Sequence, residues 1–368
     1  MMMDAKLVNK LCCPLCRGEL ELTKFDSNGR SSAGSATSGP VDDVATGLLK
    51  CSCGISFPII DGVPRLLETG LPAYPEFVRT YKDKLKGEKS LEGPASETSD
   101  RKKTDEYEKI RVAYSKTWQQ FDYSNDKTWG WTLDDRKRIF LEDVGLGRED
   151  LKGKLVLDAG CGNGTLTAAI STFELDAVGM DLNDGLGSAN LNKQRFAGAS
   201  SDHVQYVQGN LFRPPLKSEL FDLIYCSGAV HRTPDSKATF KKLIPLVKKG
   251  GRLYVWVSGR RSILVRSFKY SVNKLKRMMS LDGLLTLCRI MAPVFKVVAA
   301  VSNFLSIAEF RKRSVREITL DLYDSFAPEY ANWHTEDEVQ GWFREQGFRN
   351  ITVSGKQKHG FGVYGDKP

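Results

Sequence analysis

Three glycines fall within five positions, at Gly160, Gly162 and Gly164, directly behind the apolar run "LVLD". Few patterns restrict a chain more. The run reads as a buried parallel strand of leucine and valine with a carboxylate, Asp158, at its C-terminal end. "NGTLTAAIST" after it reads as the start of a helix. Strand, glycine turn and helix form the corner at which doubly wound folds hold a nucleoside or a phosphate. Glycine lets the backbone approach such a ligand closely, where any Cβ would intrude. The dinucleotide spacing Gly-x-Gly-x-x-Gly would need its third glycine where this chain has Thr165. Here the spacing is Gly-x-Gly-x-Gly instead.

The segments that follow continue the alternation. "LDAVGMDLND" reads as a second strand ending at Asp181, 19 positions after Gly162. An acid about 20 residues past the glycines can accept hydrogen bonds from ribose hydroxyls. "VQYVQGNLFRPPL" reads as a third strand and a loop carrying Asn210 and Leu211. "ELFDLIYCSGAVHRTPD" supplies a fourth strand, through Ser227, and a loop with His231. "LIPLVKKGGRLYVWV" reads as helix, turn and strand, and "FRNITVSGKQKHGFGVYGDK" as two short strands around a turn.

In this order the segments resemble the class I S-adenosylmethionine-dependent methyltransferases, in the branch called methyltransferase type 11. "LDAGCGNG" is similar to motif I of that class. The resemblance runs from about residue 111 to the C-terminus with one interruption. It departs at Asn210, where members often carry Asp, and at Lys249, where proline is usual. The resemblance implies an α/β fold with a seven-stranded doubly wound, Rossmann-like sheet. It also implies S-adenosyl-L-methionine as cofactor, held by Asp158, Gly160, Cys161, Gly162, Asn163, Gly164, Asp181, Leu182, Asn210, Leu211 and Ser227.

The N-terminal part carries a separate signal. "CCPLCRGEL" presents Cys13 and Cys16, and "LLKCSCGISFPIIDGVPRLL" presents Cys51 and Cys53. Four thiolates in two close pairs can close a tetrahedral zinc site. Cys12 could replace Cys13, and the second pair is Cys-x-Cys where the usual knuckle is Cys-x-x-Cys. The surroundings resemble the zinc-ribbon family of the activator subunit of tRNA and protein methyltransferases, with "FPIIDGVPRLL" close to that family's later motif. The alternative is a metal-free ribbon held by its own apolar residues. Cys161, Cys226 and Cys288 are isolated and read as packing residues. The start, "MMMDAKLVNKLCC", lacks the apolar core of a signal peptide, which predicts a cytoplasmic chain whose eight cysteines serve metal or thiol chemistry before disulfides.

The expected organisation is a zinc-ribbon-like module over 1–70, a charged linker over 71–110, a methyltransferase domain over 111–258, an insert over 259–317 and the rest of the domain over 318–368. The insert is strongly basic: from Arg260 to Glu317 there are 13 Lys or Arg against three acids, a net of +10, while the whole chain is +9. Leu264, Phe268, Val272, Leu275 and Met279 recur at helical spacing there. The next stretch, "LDGLLTLCRIMAPVFKVVAAVSNFLSIA", is apolar but broken by Asp282, Arg289, Pro293 and Lys296, which argues against a membrane span. Three readings stay open for the insert: a helical cap over an acceptor pocket, an element that contacts an anionic membrane, and a nucleic-acid surface.

Methyl transfer is an in-line displacement in which the cofactor brings the electrophile and the protein positions the acceptor and takes up its proton. His231 lies on the loop after the fourth strand, where it could act as base or orient the loop. "DSFAPEYANWHTEDEVQGWF" resembles a segment near the pocket in the same branch, which implies pocket roles for Tyr330 and His334, with Thr335 and Glu338 spaced as a capping box. Trp118, in the segment before the glycine corner, is a third pocket candidate. The favoured reading is a methyltransferase for a small-molecule or lipid-like acceptor. The alternatives are an RNA methyltransferase that uses the ribbon to bind substrate, and a non-catalytic scaffold with a vestigial cofactor site. Oligomeric state is not legible.

Overall fold

The computed structural model describes residues 2–25, 43–88, 98–120, 127, 129–260, 272, 276, 278–301, 308–357 and 359–368. The N-terminal ribbon comprises β1 (Met3–Asp4), β2 (Leu20–Lys24), β3 (Asp43–Val44), β4 (Gly47–Cys51), β5 (Ser56–Ile60) and β6 (Val63–Pro64). β1 pairs with β3, and the other four form an antiparallel sheet in the order β2-β4-β5-β6. Alternation of apolar residues is weak in β4 and β5 because both faces are covered, and Leu48, Leu49, Phe57 and Ile59 are all buried.

The span expected to be a charged linker is only partly one. Helix α1 (Pro75–Thr80) and the turn before it pack Leu71 and Phe77 against Phe25 and Leu48, so residues 71–85 finish the ribbon's own core. Helix α2 (Thr98–Gln120) begins inside the charged run. Among the described side chains, Ile110, Ala113 and Thr117 form its buried face, at helical spacing.

The large sheet contains β7 (Leu155–Ala159), β8 (Asp176–Asp181), β9 (Val204–Gln208), β10 (Phe221–Ser227), β11 (Val247–Ser258), β12 (Arg349–Gln357) and β13 (Gly360–Asp366). Their order is β9-β8-β7-β10-β11-β13-β12. The first five are parallel, and β13 runs antiparallel to both β11 and β12. The chain steps outward from β7 to β9, then returns to the other side of β7 as β10. That reversal opens a crevice at the C-terminal ends of β7 and β10, where open α/β sheets bind ligands.

Helices α3 (Leu133–Val144), α4 (Arg148–Leu151), α5 (Thr165–Ile170), α6 (Leu186–Ala197) and α7 (Ser236–Leu243) precede or connect these strands. Thr132 and Asp135 form a reciprocal capping box at the start of α3, and Gly145 ends that helix in the left-handed region at φ 60°. The insert contributes α8 (Leu281–Val301) and is followed by α9 (Val315–Phe326) and α10 (Glu336–Glu345). Leu284, Leu285, Cys288 and Ala292 of α8 pack on Ile318, Leu322, Tyr323 and Phe326 of α9. The expected boundary at 317/318 therefore falls inside a helix, and α9 belongs to the insert's core. Of the apolar stripe expected before α8, Val272 is buried in this cluster, while Leu264, Phe268 and Leu275 lie outside the described residues.

Ribbon and large sheet share one core. Met3, Leu7, Leu11 and Leu66 pack in the same cluster as Val178, Met180, Val207 and Leu216. Each such side chain contributes roughly 1.5–3 kcal/mol on burial. The contact is also knitted by backbone: Leu66 N donates to Gln208 O at 2.9 Å, Cys12 N to Pro215 O at 3.1 Å and Lys217 N to Lys10 O at 2.9 Å. The ribbon thus covers the β9 edge, which would otherwise present unpaired backbone groups.

Candidate cofactor and metal sites

All three glycines of the corner adopt positive φ: 87° at Gly160, 61° at Gly162 and 74° at Gly164. A side chain is excluded twice over at Gly162, because a Cβ there would also run into the indole of Trp118. α2 thus lays Trp118 across the glycine loop as a roof, where the sequence places a pocket residue. The roof extends to Trp129, edge-on to Trp118 at 6.4 Å between centroids. Trp129 Nε1 donates to Asp324 Oδ2 at 3.4 Å, and Arg232 Nη2 donates to the same oxygen at 2.7 Å. α9 is in this way tied to the loop after β10.

Beneath the roof, Asp158 and Asp181 stand at the ends of β7 and β8. Asp158 Oδ2 accepts from Thr167 Oγ1 at 2.6 Å, and burial pushes its carboxyl up to about 6. Asp181 Oδ2 accepts from Gly162 N at 2.8 Å, and its Oδ1 accepts from Asn183 N at 2.9 Å and Asn183 Nδ2 at 2.7 Å. Burial raises the Asp181 carboxyl as well. Asp181 Oδ2 and Asp158 Oδ2 each keep a lone pair after those bonds, whereas Asp181 Oδ1 has both engaged by Asn183. Asn183 Oδ1 is buried with no hydrogen-bond partner among the described residues. A buried acceptor left over beside Asp181 and Gly162 is what a cofactor rich in hydroxyl and amino donors would complete.

Leu182 offers its carbonyl to Gln208 Nε2 at 2.9 Å rather than to the corner. Cys161 is buried, its thiol raised well above 9 by burial, which suits packing and not nucleophilic chemistry. Asn163 holds Thr165 through its Oδ1 at 2.9 Å and so shapes the helix start. Asn210 Oδ1 accepts from Phe212 N at 3.0 Å, while its Nδ2 donates to Glu68 Oε1 at 3.1 Å. Leu211 is half-buried behind it, and Ser227 closes β10 beside the register partner Trp256.

The ribbon reaches this rim with side chains that sequence reasoning missed. Arg65 Nη1 donates to Gln208 Oε1 at 3.1 Å, and Tyr74 OH donates to the same atom at 2.8 Å. Gln208 Nε2 also donates to Asp184 Oδ1 at 2.9 Å, and Asp184 Oδ1 accepts from Arg111 Nη1 of α2 at 2.6 Å. Ribbon, sheet edge and roof helix are joined by one polar chain that runs from buried Arg65 and Gln208 out to half-exposed Asp184. The only signal for it in the sequence is a glutamine at an inward position of "VQYVQ".

His231 is buried in a short turn, its ring 5.7 Å from Trp256, and its backbone carbonyl accepts from Asn332 N at 2.8 Å. His334 has both ring nitrogens engaged, with Glu338 Oε1 at 2.8 Å and Ser236 Oγ at 2.9 Å, and its ring packs edge-on against Trp342. Those contacts make it a brace between α7 and α10. They also explain the half-made capping box: Thr335 accepts from Glu338 N at 3.3 Å, but the Glu338 carboxylate is taken by His334. Tyr330 is half-buried in the loop after α9.

Cys13, Cys16, Cys51 and Cys53 converge, with all four sulfurs within 4.8 Å of one another. Cys13 lies 3.8 Å from Cys53 and Cys16 lies 3.3 Å from Cys51, sulfur to sulfur. Four sulfurs at 2.3 Å from a tetrahedral zinc would stand about 3.8 Å apart, so this set fits a structural zinc. Cys12 is buried outside the cluster, which assigns the first ligand to Cys13. Gly18 N donates to Cys16 Sγ at 3.4 Å, the main cause that draws this thiol down to about 7 and favours the thiolate a metal needs.

Strand order, glycine corner and acid at the tip of the next strand define the class I S-adenosylmethionine-dependent methyltransferase fold, here preceded by a four-cysteine ribbon. Comparison with known proteins agrees on both parts. Residues 157–255 match the family described as methyltransferase domain, and residues 4–62 match the family described as Trm112p-like protein. The chain is 29% identical over 119 residues to the ubiquinone biosynthesis O-methyltransferase of Coxiella burnetii, covering 32% of this chain and 47% of that protein. It is 32% identical over 124 residues to the protein of the same name from Paraburkholderia phymatum, covering 33% and 50%. The chain spans about half the length of the curated relatives it matches. Among solved structures, magnesium protoporphyrin IX methyltransferase from Synechocystis PCC 6803 is 14% identical, with 80% of this chain and 100% of that one covered and a TM-score of 0.38.

Proposed function

We propose that the protein transfers the methyl group of S-adenosylmethionine to a small-molecule or lipid-like acceptor. The observation that carries this reading is the buried corner of Gly160, Gly162 and Gly164 with Asp181, its leftover acceptor at Asn183, and an aromatic roof at Trp118. Asp181 would take the ribose hydroxyls. Asp158, Cys161, Asn163 and Leu182 would line the methionine and ribose ends, and Asn210 and Leu211 the adenine, with Ser227 at the crevice between β7 and β10. The cofactor supplies a sulfonium-bound methyl carbon. The acceptor atom forms a bond to that carbon as the carbon–sulfur bond breaks, leaving S-adenosylhomocysteine, and the acceptor's proton passes to a base. His231 is the proposed base, placed on the loop after β10. The relatives named for O-methylation in ubiquinone biosynthesis favour an oxygen on an apolar acceptor.

The test is transfer of radiolabelled methyl from S-adenosylmethionine into cell extract, with RNA, protein, lipid and small solutes separated. Gly162→Arg, which places a long side chain where Trp118 already lies, is the inactive control. Label in the lipid or small-solute fraction is the expected result. Label confined to RNA or protein overturns the acceptor class, and failure to bind S-adenosylhomocysteine overturns the cofactor reading.

A further inference from the structure

Helix α8 is apolar on two opposite faces. The inner face, Leu284, Leu285, Cys288 and Ala292, is buried against α9. The outer face repeats at Ile290, Val294 and Val297, spaced four and three, and these side chains are 65%, 59% and 65% exposed. A helix on a water-covered surface is polar on that side. Leu281–Ala300 has a mean hydropathy of 1.7, long and apolar enough by length and composition to cross a membrane, yet 28% of it is buried inside the fold. Its start is also held sideways, since Asp282 pairs with Lys116 of the roof helix.

Charge identifies what the outer face meets. Arg289 and Lys296 are seven residues apart and so share one edge of the exposed stripe. Arg289 and Arg316 also border a groove between α8 and α9, whose floor includes Leu285 and Leu320. The surrounding segment, Arg260 to Glu317, carries a net of +10. A second copy of the same face would bring these like charges together. An apolar stripe rimmed by cations is complementary to a bilayer whose headgroups are anionic.

We propose that the outer face of α8 docks on an anionic lipid bilayer, lying in the interface plane with Ile290, Val294 and Val297 inserted and Arg289 and Lys296 at headgroup level. This goes beyond methyl transfer and stands apart from it, because docking is read with no cofactor present.

The experiment is flotation of the full-length protein with vesicles of phosphatidylcholine alone and of phosphatidylcholine with phosphatidylglycerol at a ratio of about 3:1, at low and high salt. Wild type is expected to float with the anionic vesicles at least tenfold more than with neutral ones, to weaken in high salt, and to be released by an alkaline carbonate wash. The double variant Val294→Asp, Val297→Asp changes only exposed side chains. It should keep its circular dichroism and zinc content and lose flotation at least tenfold. Three outcomes overturn the proposal: wild type that does not float, a folded variant that floats as well as wild type, and resistance to the carbonate wash, which would mean a spanning helix. A wild-type dimer that the variant dissociates, with no flotation of either, would reassign the face to self-association and equally refute bilayer docking.

Discussion

Asp143 sits near the end of α3 with its carboxyl turned into the fold, where Oδ2 accepts from Tyr225 OH at 2.9 Å. Burial pushes this carboxyl from 3.8 up to about 6, against the opposing pull of the Tyr254 and Tyr225 hydroxyls. In the unfolded chain the group returns to about 3.9. The folded state therefore holds the proton more tightly. The stability this confers is fully present below about pH 4 and is lost as the pH rises through 6. At about 1.4 kcal/mol for each tenfold change in proton affinity, the displacement corresponds to about 3 kcal/mol. Asp143→Asn removes the titration and keeps a carbonyl acceptor for Tyr225. Unfolding by urea at pH 5 and pH 8, followed by tryptophan fluorescence, measures the difference between wild type and variant. At pH 5 roughly 1.5 kcal/mol is already lost, so the variant should gain about 1.4 kcal/mol on wild type between pH 5 and pH 8. Asp158, also pushed up to about 6, is present in both proteins and cancels in the comparison. A difference that is the same at both pH values would refute the assignment of a buried, proton-holding Asp143.

Three further outcomes follow from the sites. Cys12→Ser should retain one zinc per chain by metal analysis and Cys13→Ser should retain none, since only the latter sulfur lies in the cluster. Gly162→Ala forces a Cβ onto Trp118 at a positive φ, so titration calorimetry should show affinity for S-adenosylhomocysteine falling at least about tenfold while the fold persists. Gln208→Ala removes the shared acceptor of Arg65 and Tyr74, and should lower stability by about 1–3 kcal/mol and make the ribbon more sensitive to limited proteolysis.

The glycine corner was legible because each of its residues is there for backbone geometry, which short-range spacing encodes. The seven-stranded sheet was expected from the family resemblance that the segments carry in their order. The roof was half legible: Trp118 stood out as an aromatic, but the charges of residues 98–109 hid the start of a helix whose buried face includes Ile110, Ala113 and Thr117. The chain from Arg65 through Gln208 to Arg111 was not legible at all. Its members are 143 residues or fewer apart in pairs that no local period links, and each alone resembles a solvated polar residue. The Cys51-x-Cys53 spacing departs from the usual knuckle, yet Cys51 ends β4 and Cys53 lies in the turn after it, so the chain itself brings the two sulfurs round.

The docking of the ribbon on β9 has a consequence for how the protein is made. Arg65 leaves the ribosome 143 residues ahead of its partner Gln208. At about 5–20 residues per second, the finished ribbon waits roughly 7 to 30 s for the strand it will cover. During that interval Leu7, Leu11 and Leu66 have no large sheet to bury them. Zinc binding by the four cysteines would fold the ribbon before its partner exists and hold the docking surface in shape. Starved of zinc, the nascent chain would carry those leucines on an unfolded segment instead of a preformed docking surface while β9 was still being synthesised, so metal shortage would appear first as lost yield and aggregation, ahead of any change in the protein already folded.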